Sequence, residues 1–234
     1  MSVRLWVGLG NPGAKYAGNR HNVGFMALER IAADHGGAPW RAKFQGEVSE
    51  ARFGSDRVVL LRPGTFMNLS GQSVGEAMRF HKLDPADVTV WHDELDLAPF
   101  KLRLKSGGGH AGHNGLRSIH QHIGDAYDRV RVGIGHPGHK DKVAGYVLSD
   151  FAKAEAGGLD DLLRGVSDGA PKLAAGDGPA FLNAVAQRTA PPRGAKPAKP
   201  ARPPADGGGE TSPPASDGAE VKLSPLQRLA SRFR

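Results

Sequence analysis

The chain has 234 residues, enough for one domain with a well-buried core, and a formal net charge of +7 that favours polyanionic partners, nucleic acid first. It contains no cysteine, which excludes disulfides, thiolate metal sites and a cysteine nucleophile. Neither a signal peptide nor an apolar run long enough to cross a membrane is visible, so a soluble, cytoplasmic protein is predicted.

The C-terminal part of the chain differs in composition from the rest. Between Ala190 and Ala219 no large apolar side chain occurs. Such a segment cannot bury enough surface to offset its ordering entropy. The sequence therefore predicts one folded domain, residues 1–187, and a basic, disordered tail, residues 188–234. Within the tail, Leu223–Arg234 fits either a short amphipathic helix that contacts RNA or protein, or an unstructured end.

A glycine-rich loop follows the first predicted strand, Arg4–Leu9. Residues Gly8–Gly13 match the Gly-x-Gly-x-x-Gly fingerprint of dinucleotide-binding proteins, but that fingerprint opens a helix at its third glycine. Here the next helical pattern, residues 23–35, begins only after Asn22, its predicted N-cap. The sequence favours a loop that presents three polar side chains: Asn11, Tyr16 and His21.

A predicted hairpin, Phe44–Leu61, leads to a helix that starts near Ser70 and contains a second motif. Gly71–Gly75 matches Gly-x-Ser-x-Gly, and an aspartate and a histidine follow in the chain order of an α/β-hydrolase triad. A nucleophile elbow requires a strand that ends at the serine, whereas this strand ends near Leu61. Ser73 is therefore favoured as an ordinary helical residue. Two apolar residues before the helix are either core or a surface under a ligand: Phe66 and Met67.

Charged residues follow the next predicted strand, Val88–His92. Asp93 lies directly after it, and carboxylates at strand ends in open α/β sheets lie where ligands bind. The alternating segment Lys101–Lys105 places its cations on one face of a strand. These cations suit phosphate contacts, or they keep an edge strand solvated.

The segment Gly107–Ile123 joins a glycine loop to a helix with one apolar stripe. It delivers His113 and Asn114 to the helix N-terminus, which favours an anion. His110 and His113, with Asp93, also suggest a zinc site, although a glycine loop is no rigid scaffold for that three-residue spacing.

The remaining segments complete an alternating pattern of strands and helices. A strand is predicted at Asp128–Ile134, with Arg129 and Arg131 on one face, and a mobile basic loop at His136–Lys142. Helices are predicted at 143–151 and 159–175. The fold class is α/β: a single domain with a mixed central sheet flanked by helices, phosphorylase/hydrolase-like.

Three loop asparagines accompany the candidate histidine and aspartate. Asparagine offers both a donor and an acceptor without charge, which suits holding amides, hydroxyls and a polarised carbonyl. A histidine and an aspartate without a convincing nucleophile indicate general-base activation of water. The asparagines are Asn11, Asn68 and Asn114.

Several motifs in the same order resemble the bacterial-type peptidyl-tRNA hydrolase family. They are Gly8–Gly13, Arg20–Phe25, Pro63–Gly71, His92–Leu97, Gly107–Ile119 and Val132–Gly138. The resemblance implies a monomeric α/β enzyme without metal or cofactor, which hydrolyses the ester between a peptide and the 3′-terminal ribose of tRNA. A non-catalytic RNA-binding module of this fold and a serine esterase using Ser73 are the alternatives.

The resemblance also implies roles for individual residues. His21 would be the base that activates water, Asp93 would support it, and Asn11 would help distinguish N-blocked from free aminoacyl-tRNA. His113 would have a lesser role beside the site. The residues expected to contact the tRNA end are Tyr16, Phe66, Met67, Asn68 and Asn114, and those expected to contact phosphates are Lys105 and Arg131.

Three positions depart from the family pattern. Asn19 stands where a threonine is usual, and Phe100 and Ala111 replace common glycines. None of the three belongs to the proposed acid–base pair. The loop around Ala111 is expected to differ in shape.

Overall fold

The computed structural model describes residues 3–190, in which strands and helices alternate along the chain. The strands in this part are β1 (Val3–Gly8), β2 (Arg41–Lys43), β3 (Gly46–Phe53), β4 (Asp56–Pro63), β5 (Val88–Glu94), β6 (Leu102–Ser106) and β7 (Asp128–Gly133). The α-helices in the same part are α1 (Val23–Asp34), α2 (Ser70–His81), α3 (Asn114–Ile123), α4 (Val143–Val147), α5 (Ala156–Ala174) and α6 (Gly178–Thr189).

The strands form one mixed sheet in the order β2-β3-β4-β1-β5-β7-β6. The inner strands β4, β1, β5 and β7 run parallel, while β3 pairs antiparallel with β2 and β4, and β6 pairs antiparallel with β7. The prediction of an α/β fold with a mixed central sheet is thus confirmed. The carboxyl ends of the parallel strands meet at one edge, and their loops gather the polar residues there.

Helices cover both faces of the sheet because side chains alternate along each strand. In β1, Trp6 joins an apolar cluster with α1, α5 and α6 on one face. Its neighbours Leu5 and Val7 join a second cluster with α2 and α3 on the other face. Strand β5 is buried along its whole length, which makes it a rigid support for the residues at its end.

Several element boundaries differ from the prediction. The hairpin strand begins at Gly46, because Phe44 and Gln45 adopt positive φ angles of 56° and 51° in the turn after β2. Helix α4 ends earlier than predicted, and α6 extends to Thr189, beyond the predicted domain limit of 187. Most of the predicted tail, with Leu223–Arg234, lies outside the described residues. Across residues 3–190, no helix has the length and apolar composition needed to cross a membrane.

Candidate active site

The loop that carries His21 is held close to the sheet by two glycines. A Cβ atom at Gly8 would lie 2.4 Å from the carbonyl oxygen of Gly24, and one at Gly24 would lie 2.4 Å from that of Trp91. The start of α1 therefore packs directly on β1 and β5, backbone against backbone. The first glycine of the Gly-x-Gly-x-x-Gly motif serves this close packing, and only a three-residue 3-10 turn, Ala14–Tyr16, follows Gly13, not an α-helix.

His21 lies in a single 3-10 turn, Arg20–Asn22, that precedes α1. The buried Arg20 fixes this turn, because its guanidinium contacts Ser149 and the carbonyl oxygen of Asp150 and forms an ion pair with Glu155. His21 Nδ1 lies 2.8 Å from Asp93 Oδ1. The sequence-predicted pair thus meets at the carboxyl end of β5, with both side chains buried.

The same carboxylate oxygen also accepts a hydrogen bond from a second histidine. His113 Nε2 lies 3.0 Å from Asp93 Oδ1, and His113 Nδ1 accepts a backbone hydrogen bond from Gly115 at 3.1 Å. Because Nδ1 of His113 is an acceptor, its proton lies on Nε2 and is donated to Asp93. The ionised carboxylate of Asp93 can only accept, so His21 donates from Nδ1, which leaves a lone pair on Nε2 of the neutral ring.

Electrostatics keep Asp93 charged and make His21 more basic. Burial alone would raise the pKa of Asp93, but the charges of His21 and His113 and their hydrogen bonds hold it well below 3.8. Burial alone would lower the pKa of His21, but the charge of Asp93 and its hydrogen bond raise it above 6.5. The pair has the electrostatics of a general base supported by a carboxylate.

His92 lies behind this pair and stays neutral. Burial, followed by the nearby His113, lowers its pKa to about 3. Its Nδ1 lies 2.8 Å from the carbonyl oxygen of Asp93, and its ring meets that of His113 edge to face. His92 therefore fixes the backbone at Asp93, a role that the sequence analysis missed although the residue adjoins the predicted carboxylate.

The side chain of Asn22 clamps the backbone of Asn11. Its Oδ1 accepts from Asn11 N, and its Nδ2 donates to Asn11 O, each at 2.9 Å. Asn22 was predicted to cap α1, and it occupies the N-cap position, but its side chain makes no capping bond. The predicted N-cap position is thus confirmed, while the amide holds Asn11 instead of capping the helix.

Asn11 is oriented by a second contact. Its Oδ1 accepts a hydrogen bond of 3.0 Å from the backbone N–H of Met67, while its Nδ2 makes no hydrogen bond within residues 3–190. Met67 is 5% exposed and packs in the apolar core, which favours the core interpretation of its side chain. Its neighbour Phe66 is 60% exposed. Of the two alternatives, core residue or surface under a ligand, the first thus fits Met67 and the second fits Phe66.

The other predicted contact residues lie at or near the surface. Asn68 is exposed, and Asn114, at the start of α3, is exposed with its Oδ1 2.5 Å from the guanidinium of Arg117. Tyr16 is half-buried, with the Lys15 ammonium 4.7 Å from its ring centre. These side chains are available to a ligand without being held rigidly.

A cavity of about 520 Å³ opens beside the paired histidine and aspartate. Its walls come from β5, the glycine loop, α3 and α4, and include both residues of the pair with His113 and Asn114. Cations line it as well: Lys105, Arg129, Arg131 and Lys140. Arg131 Nε is 2.8 Å from Glu94 Oε2, whereas Lys105 is exposed on the edge strand. The cavity is therefore suited to an anionic ligand.

The other site interpretations fit the structure poorly. Ser73 is fully buried inside α2, and no strand ends at it, so it is not an exposed nucleophile. In the zinc hypothesis His110 was a ligand, but its Nδ1 accepts from Gly112 N instead. Of the residues described, the one cluster with metal-ligand spacing is His21, Asp93 and His113, where two of the contacts are hydrogen bonds of 2.8 and 3.0 Å.

Comparisons with known proteins identify the family of the chain. A family model described as peptidyl-tRNA hydrolase matches residues 5–193. Peptidyl-tRNA hydrolases of Dinoroseobacter shibae and of Jannaschia sp. are 66% and 69% identical, each over 99% of this chain and 100% of the relative. A crystal structure of peptidyl-tRNA hydrolase from Acinetobacter baumannii has a TM-score of 0.73 and 41% identity, over 78% of this chain and 94% of that chain. The protein belongs to the peptidyl-tRNA hydrolase family.

Proposed function

We propose that the protein hydrolyses the ester bond between a peptide, or an N-blocked aminoacyl group, and the 3′-terminal ribose of tRNA. The observation that carries this proposal is the buried His21–Asp93 pair, whose imidazole keeps a lone pair on Nε2 at the side of a cationic cavity. Family membership supplies the substrate class.

The reaction needs one base and no covalent intermediate. His21 Nε2 takes a proton from water while the water oxygen attacks the ester carbonyl carbon. The tetrahedral intermediate then breaks its bond to the ribose 3′-oxygen, and the imidazolium returns the proton to that oxygen. Asp93 stabilises the imidazolium between these steps, and proton transfer of this kind contributes roughly 10²–10⁴-fold to the rate.

Amide side chains position the substrate in this proposal. Asn11 is held at its backbone and at Oδ1, so its Nδ2 donates to the carbonyl of the peptide and favours N-blocked substrates. Asn68 and Asn114 hold the ester carbonyl and the attacking water. Phe66 and Tyr16 offer aromatic surface to the CCA end. Met67 acts through its backbone bond to Asn11.

Phosphates meet two of the cations that line the cavity, Lys105 and Arg131. Lys105 is exposed and ready to contact a phosphate, whereas Arg131 must exchange its ion pair with Glu94 for one. We further propose that the enzyme acts in the cytoplasm. We also propose that it is a monomer, because a complete set of site residues comes from one chain. Light scattering during size-exclusion chromatography tests the monomer, and a dimer mass would contradict it.

Turnover of N-acetyl-aminoacyl-tRNA tests the proposed reaction. We expect the wild type to release free tRNA and His21→Asn to lose at least about 10²-fold in kcat/KM, since the base is removed. Ser73→Ala is the matched control, and it should retain wild-type turnover because Ser73 is buried in a helix. Tight tRNA binding without turnover by the wild type would instead support a non-catalytic RNA-binding module.

A further inference from the structure

Arg129 is a buried cation without an acidic partner. It lies on β7, its residue is 3% exposed, and no ion pair to it is seen among residues 3–190. Its neighbour across the ladder is Lys105 of β6, which is also a cation. A buried charge of this kind is costly unless other groups compensate it, so its contacts show what it is used for.

The compensation comes from the glycine loop. The guanidinium donates to two consecutive backbone carbonyls, with Nη1 2.8 Å from Gly109 O and Nη2 bonded to Gly108 O. The remaining contacts are His120 Nε2 of α3, at 3.3 Å from Nη2, and the ring of Tyr127 at 5.1 Å. The planar guanidinium thus presents two donors in a fixed fork to two adjacent carbonyls, a geometry that the compact ammonium of a lysine does not provide.

The loop needs such a support because its backbone is unusually free. Gly107, Gly108 and Gly112 have φ angles of 62°, 82° and 80°, and glycines of this kind lose much conformational entropy when they are fixed. Within residues 3–190, no side chain outside the loop other than Arg129 donates to a carbonyl of residues 107–112. The bond between Gly107 N and Tyr127 O fixes only the start of the loop.

The end of the loop is where the active site begins. His113 follows at once, contacts Asp93 and caps α3, and Asn114 is the first residue of that helix. The position of both residues depends on the path of the loop. We propose that Arg129 is a positioning residue for the hydrolase, which acts by holding the glycine loop so that His113 and Asn114 stand beside His21.

This inference rests on the proposed function, and its test separates the two. We expect Arg129→Ala to lower kcat/KM on N-acetyl-aminoacyl-tRNA by about 10²-fold, the usual effect of a misplaced active-site group. Methylguanidinium should fill the vacated space and restore activity several-fold. Amide hydrogen exchange at residues 107–112 should accelerate in the free variant, a result that does not depend on turnover. A wild type without turnover would refute the proposed function, but not the role of Arg129 in holding the glycine loop.

Two further variants make the outcome decisive. Arg129→Lys keeps the charge but loses the rigid fork of donors, and its kcat/KM should fall about tenfold, between wild type and Arg129→Ala. If Arg129→Ala does not fold, the rate and the loop exchange of Arg129→Lys test the proposal. Arg57→Ala on β4, which removes an arginine paired with Glu50, is the matched control and should change neither the rate nor the loop exchange. Wild-type rate or unchanged loop exchange in Arg129→Lys would overturn the proposal, as would a folded Arg129→Ala that methylguanidinium does not rescue.

Discussion

At the scale of single residues, the structure explains two departures from the family pattern. Ala111 and Phe100 replace common glycines, and both adopt left-handed backbone angles, with φ of 47° and 63°. That the loop around Ala111 differs in shape from the family pattern stays a prediction. The alanine adopts a backbone angle that a glycine takes without strain, at a cost of roughly 1–2 kcal/mol.

These two positions should respond differently to glycine. Ala111→Gly should raise the free energy of unfolding by about 1 kcal/mol, because it relieves the strain and removes only an exposed methyl group. Phe100→Gly should lower it, because the ring packs on Phe151 and Gly158. Urea denaturation measures both, and a loss of stability in Ala111→Gly would contradict the strain argument.

The pKa of His21 leads to a defined pH profile. A general base must be neutral, so kcat/KM should fall as the pH drops through an apparent pKa above 6.5. In Asp93→Asn the carboxylate charge is lost while burial remains, so the pKa of His21 should fall and the acid limb should move to lower pH. The maximal rate should drop by roughly 10³-fold, because the imidazolium loses its support.

Rates measured between pH 5 and 9 decide this prediction. His113→Gln is a useful companion, because it removes one of the two histidines at Asp93 and leaves the carboxylate in place. An acid limb in Asp93→Asn at the same pH as in the wild type would show that the carboxylate does not set the basicity of His21.

At the scale of elements, the start of α1 positions the turn that carries His21. Gly24→Ala places a methyl group 2.4 Å from the carbonyl oxygen of Trp91 and 2.5 Å from Leu9 N, both rigid backbone atoms. The helix must move away from the sheet, which should cost about 1–3 kcal/mol of stability. It should also shift His21 from Asp93, and a displacement near 1 Å lowers kcat/KM by about 10²-fold.

Gly157→Ala is the matched control for that substitution. Gly157 also lies in a helix, α5, but a Cβ atom there meets nothing within 4 Å. The substitution should stabilise the protein by about 0.5–1 kcal/mol and leave turnover unchanged. Thermal unfolding and turnover of both variants measure the difference, and equal behaviour of Gly24→Ala and Gly157→Ala would refute the packing argument.

Local patterns in the sequence predict most elements but not their long-range contacts. The apolar run of β5, the period-two pattern of β6 and the helical patterns of α2 and α3 placed these elements correctly, because each pattern follows from which faces of the element are buried. The pattern in β7 also placed Arg129 and Arg131 together, yet one is buried under the glycine loop and the other pairs with Glu94. Their partners come from distant segments, which no local spacing encodes.

At the scale of the whole molecule, the order of the motifs along the chain indicated that His21 and Asp93 form a pair. A resemblance to a family implies the tertiary contacts of that family's fold. Residues 21 and 93 are far apart in sequence, and no periodicity joins them; the sheet does so by placing β1 beside β5. The clamp of Asn22 on Asn11 had no such signal, since an asparagine before a helix is most simply interpreted as a cap.

The distribution of charge over the molecule predicts the salt dependence of tRNA binding. Lys105 is exposed at the rim of the cavity, so Lys105→Ala should weaken affinity and reduce the slope of log K against log salt by about 1. Lys172→Ala, on α5, is the control and should preserve the slope. Titrations of labelled tRNA at several salt concentrations measure the slopes, and equal slopes for wild type and Lys105→Ala would exclude the contact.

The single carboxylate oxygen shared by two imidazoles has a consequence for how the enzyme ionises. His21 and His113 lie 2.8 and 3.0 Å from Asp93 Oδ1, and their charges and hydrogen bonds hold the pKa of Asp93 well below 3.8 against the effect of burial. Replacing His113 removes one of these two supports, so the pKa of Asp93 should rise while its hydrogen bond to His21 remains.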